Sequence, residues 1–131
     1  MNKKKKLTIK EIFALAAQNH QKKNFKVAEK LYKEILKTNP DHAFAHYNLG
    51  LGFKELGDYL KAITCYKKAI QINPNYANAH NNLGNIFKEL GEKEKAIICY
   101  EKAIQNEPNN TIAYCNLGIV LEELDRLDEA K

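Results

Sequence analysis

Arginine is almost missing from this chain: Arg126 is the only one in 131 residues. Bidentate recognition of phosphate and guanine favours the guanidinium fork, so this scarcity argues against nucleic-acid binding. Long apolar runs are missing too. None approaches the roughly 18 residues of a membrane span, and no span is expected. The opening MNKKKK resembles the charged start of a secretion signal. The next residues, LTIKEIFALAAQNHQKK, are interrupted by Lys10 and Glu11 and have helical patterning. Secretion is therefore not expected. Cysteine is sparse and odd in number: Cys65, Cys99 and Cys115, with no CxxC. Three reduced thiols in a cytoplasmic protein are the expectation. There is no nucleophile elbow, P-loop or HExxH. No catalytic site and no cofactor is implied.

The net charge is +5, and Lys3, Lys4, Lys5 and Lys6 supply four of those charges. Without them the body is nearly neutral, so the basicity belongs to residues 1–8, an N-terminal tail expected to be solvated.

What is present is a repeat. Residues 43–76 and 77–110, laid together without a gap, agree at 22 of 34 positions. The matches recur at fixed places: Leu49/Leu83, Gly50/Gly84, Phe53/Phe87, Ala62/Ala96, Tyr66/Tyr100, Ala69/Ala103 and Pro74/Pro108. Each unit therefore reads as one supersecondary element that buries its apolar face against its neighbours.

Taken in order, Thr8 and Glu11 form a capping box, so a helix is expected from Ile9. Ile12, Leu15, Ala16 and Asn19 share one face of it. The pattern breaks near Lys22 and Asn24, resumes through Phe25, Ala28, Tyr32 and Ile35, and closes at Asn39-Pro40. Residues 9–42 are thus a divergent first unit. The second, 43–76, has a helix A to about Leu56, a turn at Gly57-Asp58, a helix B from Tyr59, and a stop at Asn73-Pro74. Gly57 suits the left-handed position that ends a helix, and Asp58 suits the next cap. The third unit, 77–110, has the same plan, with Gly91-Glu92 as its turn. A partial fourth, 111–131, repeats helix A through Tyr114, Leu117, Gly118 and Leu121. There Leu124 matches Leu56 and Leu90, and Ala130 matches Ala62 and Ala96. Gly50, Gly84, Gly118, Ala62 and Ala96 are small where helix A must approach helix B. A helical glycine costs about 1 kcal/mol against alanine, so its recurrence in register implies a packing need.

These residues resemble the tetratricopeptide repeat family, a 34-residue helix–turn–helix with Leu-Gly in helix A, an aromatic and alanines in helix B, and a closing proline. In unit one Ala16, Asn19 and Ile35 depart from that pattern. His46, His80 and Tyr114 fill a family tryptophan position. The resemblance implies an all-α fold, a right-handed helical solenoid of stacked helix–turn–helix repeats, whose concave wall is lined by the A helices. By resemblance, the first two units give that wall Lys10, Phe13, Ala17, His20, Phe44, Tyr47, Asn48, Leu51 and Lys54. The later units give Asn78, Asn81, Asn82, Asn85, Lys88, Ile112, Cys115, Asn116, Ile119 and Glu122.

Asn48, Asn82 and Asn116 stand 34 residues apart, each just before Leu-Gly. Asparagine offers donors and an acceptor to a peptide backbone. Helices about 8–10 Å apart match an extended chain at about three residues per rung. Such a ladder is similar to the one in the repeat arrays of O-linked N-acetylglucosamine transferases. The same asparagines can instead satisfy a neighbouring carbonyl. Phe44 and Tyr47, with Phe13, are candidate apolar anchors or packing residues. The family's clamp for a chaperone's C-terminal carboxylate is not expected. Its positions hold Phe13, Ala17, Asn48, Asn78 and Asn82, which lack the clamp's charges. The expected function is a protein–protein interaction module or scaffold that binds an extended peptide or helix in the groove. An alternative is the N-terminal substrate-recognition array of a longer transferase. No metal is expected: His42 and His46 are four apart, but no Cys or acidic pattern accompanies them.

Overall fold

The computed structural model describes residues 6–129. Among them are seven helices and no strand: α1 (Ile9–Gln21), α2 (Phe25–Thr38), α3 (Ala43–Glu55), α4 (Tyr59–Ile72), α5 (Ala77–Glu89), α6 (Lys93–Asn106) and α7 (Thr111–Glu129). The fold is an all-α helical repeat solenoid. Two compact units divide within α4, Met1–Cys65 and Tyr66–Lys131. Lysines 3–5 and Ala130 lie outside the described residues.

Local chemistry sets the helix ends. The Thr8 hydroxyl accepts from the Glu11 backbone N–H at 3.1 Å, and the Glu11 carboxylate accepts from the Thr8 N–H at 3.2 Å. This capping box satisfies two N–H groups that the first turn cannot pair. The turn after α3 is held by two bonds, Gly57 N–H to Lys54 O and Asp58 N–H to Phe53 O, both 2.9 Å. Gly57 sits at φ 78°, the left-handed conformation this closure requires. Gly91 has the same φ and makes the same pair of bonds, to Lys88 and from Glu92 to Phe87. Asp58 then caps α4 through the Lys61 N–H at 3.3 Å. At the far ends, Asn39 and Glu107 adopt φ near −134° and −133° before Pro40 and Pro108, outside helical geometry.

In the first unit α1 packs on α2, and α2 on α3. Ala16, Ala28, Tyr32, Ile35 and Ala45 form its buried interior. In the second unit α5 packs on α6, and α6 and α5 on α7. Ile86, Ala96, Tyr100, Ala103, Ala113 and Val120 are among its fully buried residues. Alanines bring the helix axes close, and the tyrosine fills the space between turns. Burying a side chain such as Ile35 or Ile86 contributes roughly 2 kcal/mol.

Two packing expectations divide. Gly84 lies against the Tyr100 ring, as helix A against helix B requires. Gly118 has no described atom within 4 Å of where its Cβ would stand. The difference follows from α7, which runs without a turn through Asp125 to Glu129. Asp125 stands where Gly57 and Gly91 make the turn, and left-handed φ is unfavourable for a residue other than glycine. The chain stays helical there, so no second helix folds back on Gly118 among the described residues.

Candidate functional site

In the first unit the sequence brings five rings together. Phe13 on α1 stacks over Phe44 at the start of α3, with centroids 5.2 Å apart and planes at 23°. It also stacks on His42 at 5.9 Å and meets Tyr32 edge-on at 5.7 Å. Phe44 stacks in turn on Tyr47 at 6.1 Å. His42 is fixed because it caps α3: its Nδ1 accepts from the Ala45 N–H at 3.1 Å. Beside the rings opens a cleft of about 480 Å³, lined by Ile9, Lys10, Phe13, Ala14, His42 and Phe44. Phe44 remains 49% exposed despite two stacking partners. Lys10 is the one permanent charge in the lining, and Lys54 lies half-buried further along α3.

The histidines serve the repeat. His46 Nε2 is 2.9 Å from the Pro40 carbonyl, and His80 Nε2 is 3.0 Å from the Pro74 carbonyl. Each ring ties the start of an A helix to the proline that closed the preceding helix. Among the described residues no group of three or more His, Cys, Asp or Glu side chains gathers as a metal site.

The asparagines are more committed than their spacing suggests. Asn48 donates one amide hydrogen to the Phe44 carbonyl at 2.8 Å, and Asn82 donates to the Asn78 carbonyl at 3.0 Å. Both bonds run back one turn along their own helix, a common competition between short polar side chains and the helix backbone. Asn116 instead donates to Asn81 Oδ1 across α7 and α5, at 3.3 Å. Asn85 accepts from the Tyr100 hydroxyl at 2.6 Å. Asn78 is exposed, and Lys88 is half-buried at the end of α5. The second unit thus gathers Asn78, Asn81, Asn82, Asn85 and Asn116 on α5 and α7. The back-bonds are a known habit of mid-helix asparagine. The Asn85–Tyr100 pair could have been found from the 15-residue offset between helix A and helix B.

Burial governs the thiols. Cys65 and Cys99 are buried, and desolvation pushes each up to about 11. Cys115, on α7, is exposed. On α2, the hydrogen bond from Lys33 at 2.8 Å holds the Glu29 carboxyl below the usual carboxylate range. No described helix is long and apolar enough to cross a membrane.

Models of the tetratricopeptide repeat match residues 77–110 and 99–131, and a further TPR repeat model matches 53–91. No curated protein sequence matches the chain. Solved structures do. The Sgt2 TPR domain from Aspergillus fumigatus superposes with a TM-score of 0.86 at 20% identity, covering 92% of this chain and 82% of that one. The first TPR of Spaghetti (RPAP3), bound to the HSP90 peptide SRMEEVD, gives 0.85 at 20% identity, covering 89% and 93%. MamA gives 0.85 at 28% identity, covering 94% and 72%.

Proposed function

Because residues 53–131 carry tetratricopeptide repeats, we propose that this chain is a protein-interaction module that holds an extended peptide or helix on the faces of its A helices. We divide it into repeats 9–42, 43–76 and 77–110 with a partial fourth, 111–131. The observation that carries the reading is the open aromatic cleft of the first unit. A half-exposed phenylalanine beside about 480 Å³ of apolar space suits an aliphatic or aromatic side chain of a partner. Phe13, Phe44 and Tyr47 supply the apolar surface, and Lys10 and Lys54 attract acidic neighbours. On the second unit, Asn78, Asn81, Asn82, Asn116 and the amide nitrogen of Asn85 hydrogen-bond the partner's backbone, with Lys88 beside them.

The Spaghetti (RPAP3) domain was solved with an HSP90 peptide, so a domain of this fold takes a peptide. At 20% identity that likeness extends to the fold alone. The positions of the chaperone-tail clamp hold Phe13, Ala17, Asn48, Asn78 and Asn82 here, so the module reads a different, internal segment. Cys65 and Cys99, buried and free, suit a reducing cytoplasmic compartment.

The test is selection of peptides from a random library on the whole chain, followed by binding measurements. Phe44→Ala is expected to weaken the selected peptides about tenfold, the equivalent of about 1.4 kcal/mol. Joint replacement of Asn48, Asn82 and Asn116 by Ala is expected to weaken capture with helicity unchanged. Peptides that bind both variants as well as the parent would remove these faces from the reading. A second reading, the recognition array of a longer transferase, rests on the recurrence of Asn48, Asn82 and Asn116. The reading frame beyond residue 131 decides it: a catalytic domain there supports it, and its absence sinks it.

A further inference from the structure

Positive charge is unevenly placed along the repeats. Residues 7–65 hold nine lysines against six carboxylates, and residues 66–131 hold eight basic side chains against ten. Four of those nine lysines form one stripe on α2. Lys26, Lys30, Lys33 and Lys37 follow at intervals of four, three and four residues. At about 100° per residue they fall within about 60° of the helix circumference, and they run about 16 Å along its axis. All four are exposed, on the side of α2 roughly opposite the buried Ala28, Tyr32 and Ile35. The repeat itself does not call for them. Their register mates in the next two repeats are Leu60 and Glu94, Thr64 and Ile98, Lys67 and Glu101, and Gln71 and Gln105, with one lysine among the eight.

The stripe has a defined border and is partly held in place. Glu29 and Glu34 stand about 40° outside it, one on each side. Glu29 is the more enclosed, with its side chain 16% exposed, and it pairs with Lys33 at 2.8 Å and Lys26 at 3.8 Å. Lys61, at the start of α4, adds to the positive field at that carboxylate. Lys33 and Lys61 also lie over one ring, that of Phe53, at 5.9 and 5.5 Å from its centroid. Three ammonium groups therefore share one carboxylate and leave an excess of positive charge. Further along, Lys37 meets the exposed Glu34 at 3.5 Å. Holding Lys26 and Lys33 in advance lowers the entropy cost of pairing them with a partner.

We propose that this stripe docks an acidic helix of a partner protein, one with carboxylates at i, i+4, i+7 and i+11. Intervals of four, three and four read the same in both directions, so that helix fits parallel or antiparallel to α2. Basic side chains beside its acidic row would meet Glu29 and Glu34. Duplex DNA and anionic bilayers present negative charge over a broad face, which would press phosphates against both glutamates. A single helix presents a narrow row that passes between them, and like charges are kept apart. The surface shares no residue with the aromatic cleft beside Phe13 and Phe44.

The probe is a labelled, end-capped synthetic helix with glutamates at those four positions and alanine and glutamine elsewhere. It is titrated at low salt with the whole chain and followed by fluorescence anisotropy. Saturable binding is expected, weakening as salt rises. Lys30→Gln combined with Lys37→Gln should lower affinity about fivefold. Lys68→Gln combined with Lys102→Gln removes the same charge elsewhere and should leave affinity unchanged. A peptide of the same composition, with its glutamates spread around the helix, should bind about fivefold more weakly. The substituted lysines are all exposed and glutamine keeps helix propensity, so circular dichroism should be unchanged. Absence of binding overturns the proposal, as does an equal loss from the two pairs of substitutions, which would reduce it to net charge. Tighter binding of duplex DNA or of phosphatidylserine vesicles, lost with Lys30 and Lys37, overturns it by making a broad polyanion the occupant. Loss of binding in Lys10→Gln with Lys54→Gln alone overturns it by moving the peptide to the aromatic cleft. Self-association of the chain that Lys30→Gln with Lys37→Gln abolishes overturns it by making a second copy the occupant.

Discussion

Gly84 lies flat against the ring of Tyr100: a Cβ added to it would stand 2.7 Å from Cε1 and 2.9 Å from Cδ1. The ring cannot swing away, because it is fully buried and its hydroxyl is tied to Asn85. Gly84→Ala therefore forces a backbone shift that costs about 1–3 kcal/mol, offset by about 1 kcal/mol of helix propensity. The same substitution at Gly118 meets open space. The expected outcomes differ in direction: Gly84→Ala loses up to about 2 kcal/mol, and Gly118→Ala gains about 0.5–1 kcal/mol. Urea unfolding of the two variants checks this. Equal effects at both sites would mean that close packing does not govern this register.

A second prediction concerns the turn after α1. Lys23 sits at φ 64°, at the position where Gly57 and Gly91 take φ 78°. Its N–H bonds the His20 carbonyl at 2.9 Å, and the Asn24 N–H bonds the Asn19 carbonyl at 2.8 Å, the same closure as in the glycine turns. Left-handed backbone costs an L residue about 1–2 kcal/mol. Lys23→Gly is expected to stabilise the chain by about 0.5–1 kcal/mol, after the added flexibility of glycine in the unfolded state. Gly57→Ala should cost about 1 kcal/mol. Thermal unfolding of both variants reads the pair, and a lower midpoint for Lys23→Gly would refute the assignment.

The repeat grammar was legible because it rests on short-range rules. Proline ends helices, glycine permits the left-handed turn, and Thr8 with Glu11 caps a helix, whatever the rest of the chain does. The family and the all-α fold followed from those rules plus a 34-residue register. The fate of the asparagines did not follow. Whether Asn48 faces a partner or bonds Phe44 O depends on one rotamer, and spacing does not encode rotamers. The missing turn at Asp125 was legible in principle, since glycine is absent there, but the match of Leu124 and Ala130 to earlier repeats pointed the other way. The cleft beside Phe13 and Phe44 needed the distance between α1 and α3, which only packing sets.

The thiols yield a chemical prediction. Cys115 is exposed, whereas burial raises Cys65 and Cys99 from an ordinary 9.0 to about 11. At pH 8 a disulfide exchange reagent should label Cys115 rapidly, and the other two only as fast as the fold opens. The sign of the pH effect comes from the raised values. Below pH 9 both thiols are protonated folded or unfolded, so their contribution is fully present. Between about pH 9 and 11 the unfolded chain releases protons that the folded chain keeps, and stability falls. The loss is on the order of 2 kcal/mol per thiol. Replacing Cys65 and Cys99 by Ala should flatten that part of the alkaline decline in stability. An unchanged slope would assign the decline to other groups.

The last prediction uses a hydroxyl that one tyrosine satisfies and another does not. Tyr100 donates to Asn85 at 2.6 Å, across a separation of 15 residues. Tyr32 occupies the corresponding place in the first repeat, and its hydroxyl is buried without a partner among the described residues. The residue 15 positions earlier is Ala17, which is exposed and too short to reach it. Ala17→Asn should therefore rebuild the bond, contributing about 1 kcal/mol and offsetting the lower helix propensity of asparagine. A double-mutant cycle with Tyr32→Phe isolates the bond from that propensity cost. In the parent, Tyr32→Phe removes an unpaired hydroxyl and should be nearly neutral. In the Ala17→Asn background it should cost about 1 kcal/mol more, and Asn85→Ala in the third repeat should cost about 1–3 kcal/mol by stranding Tyr100. A coupling energy of zero between Ala17→Asn and Tyr32→Phe would show that the first repeat does not hold its helices at the spacing found between α5 and α6.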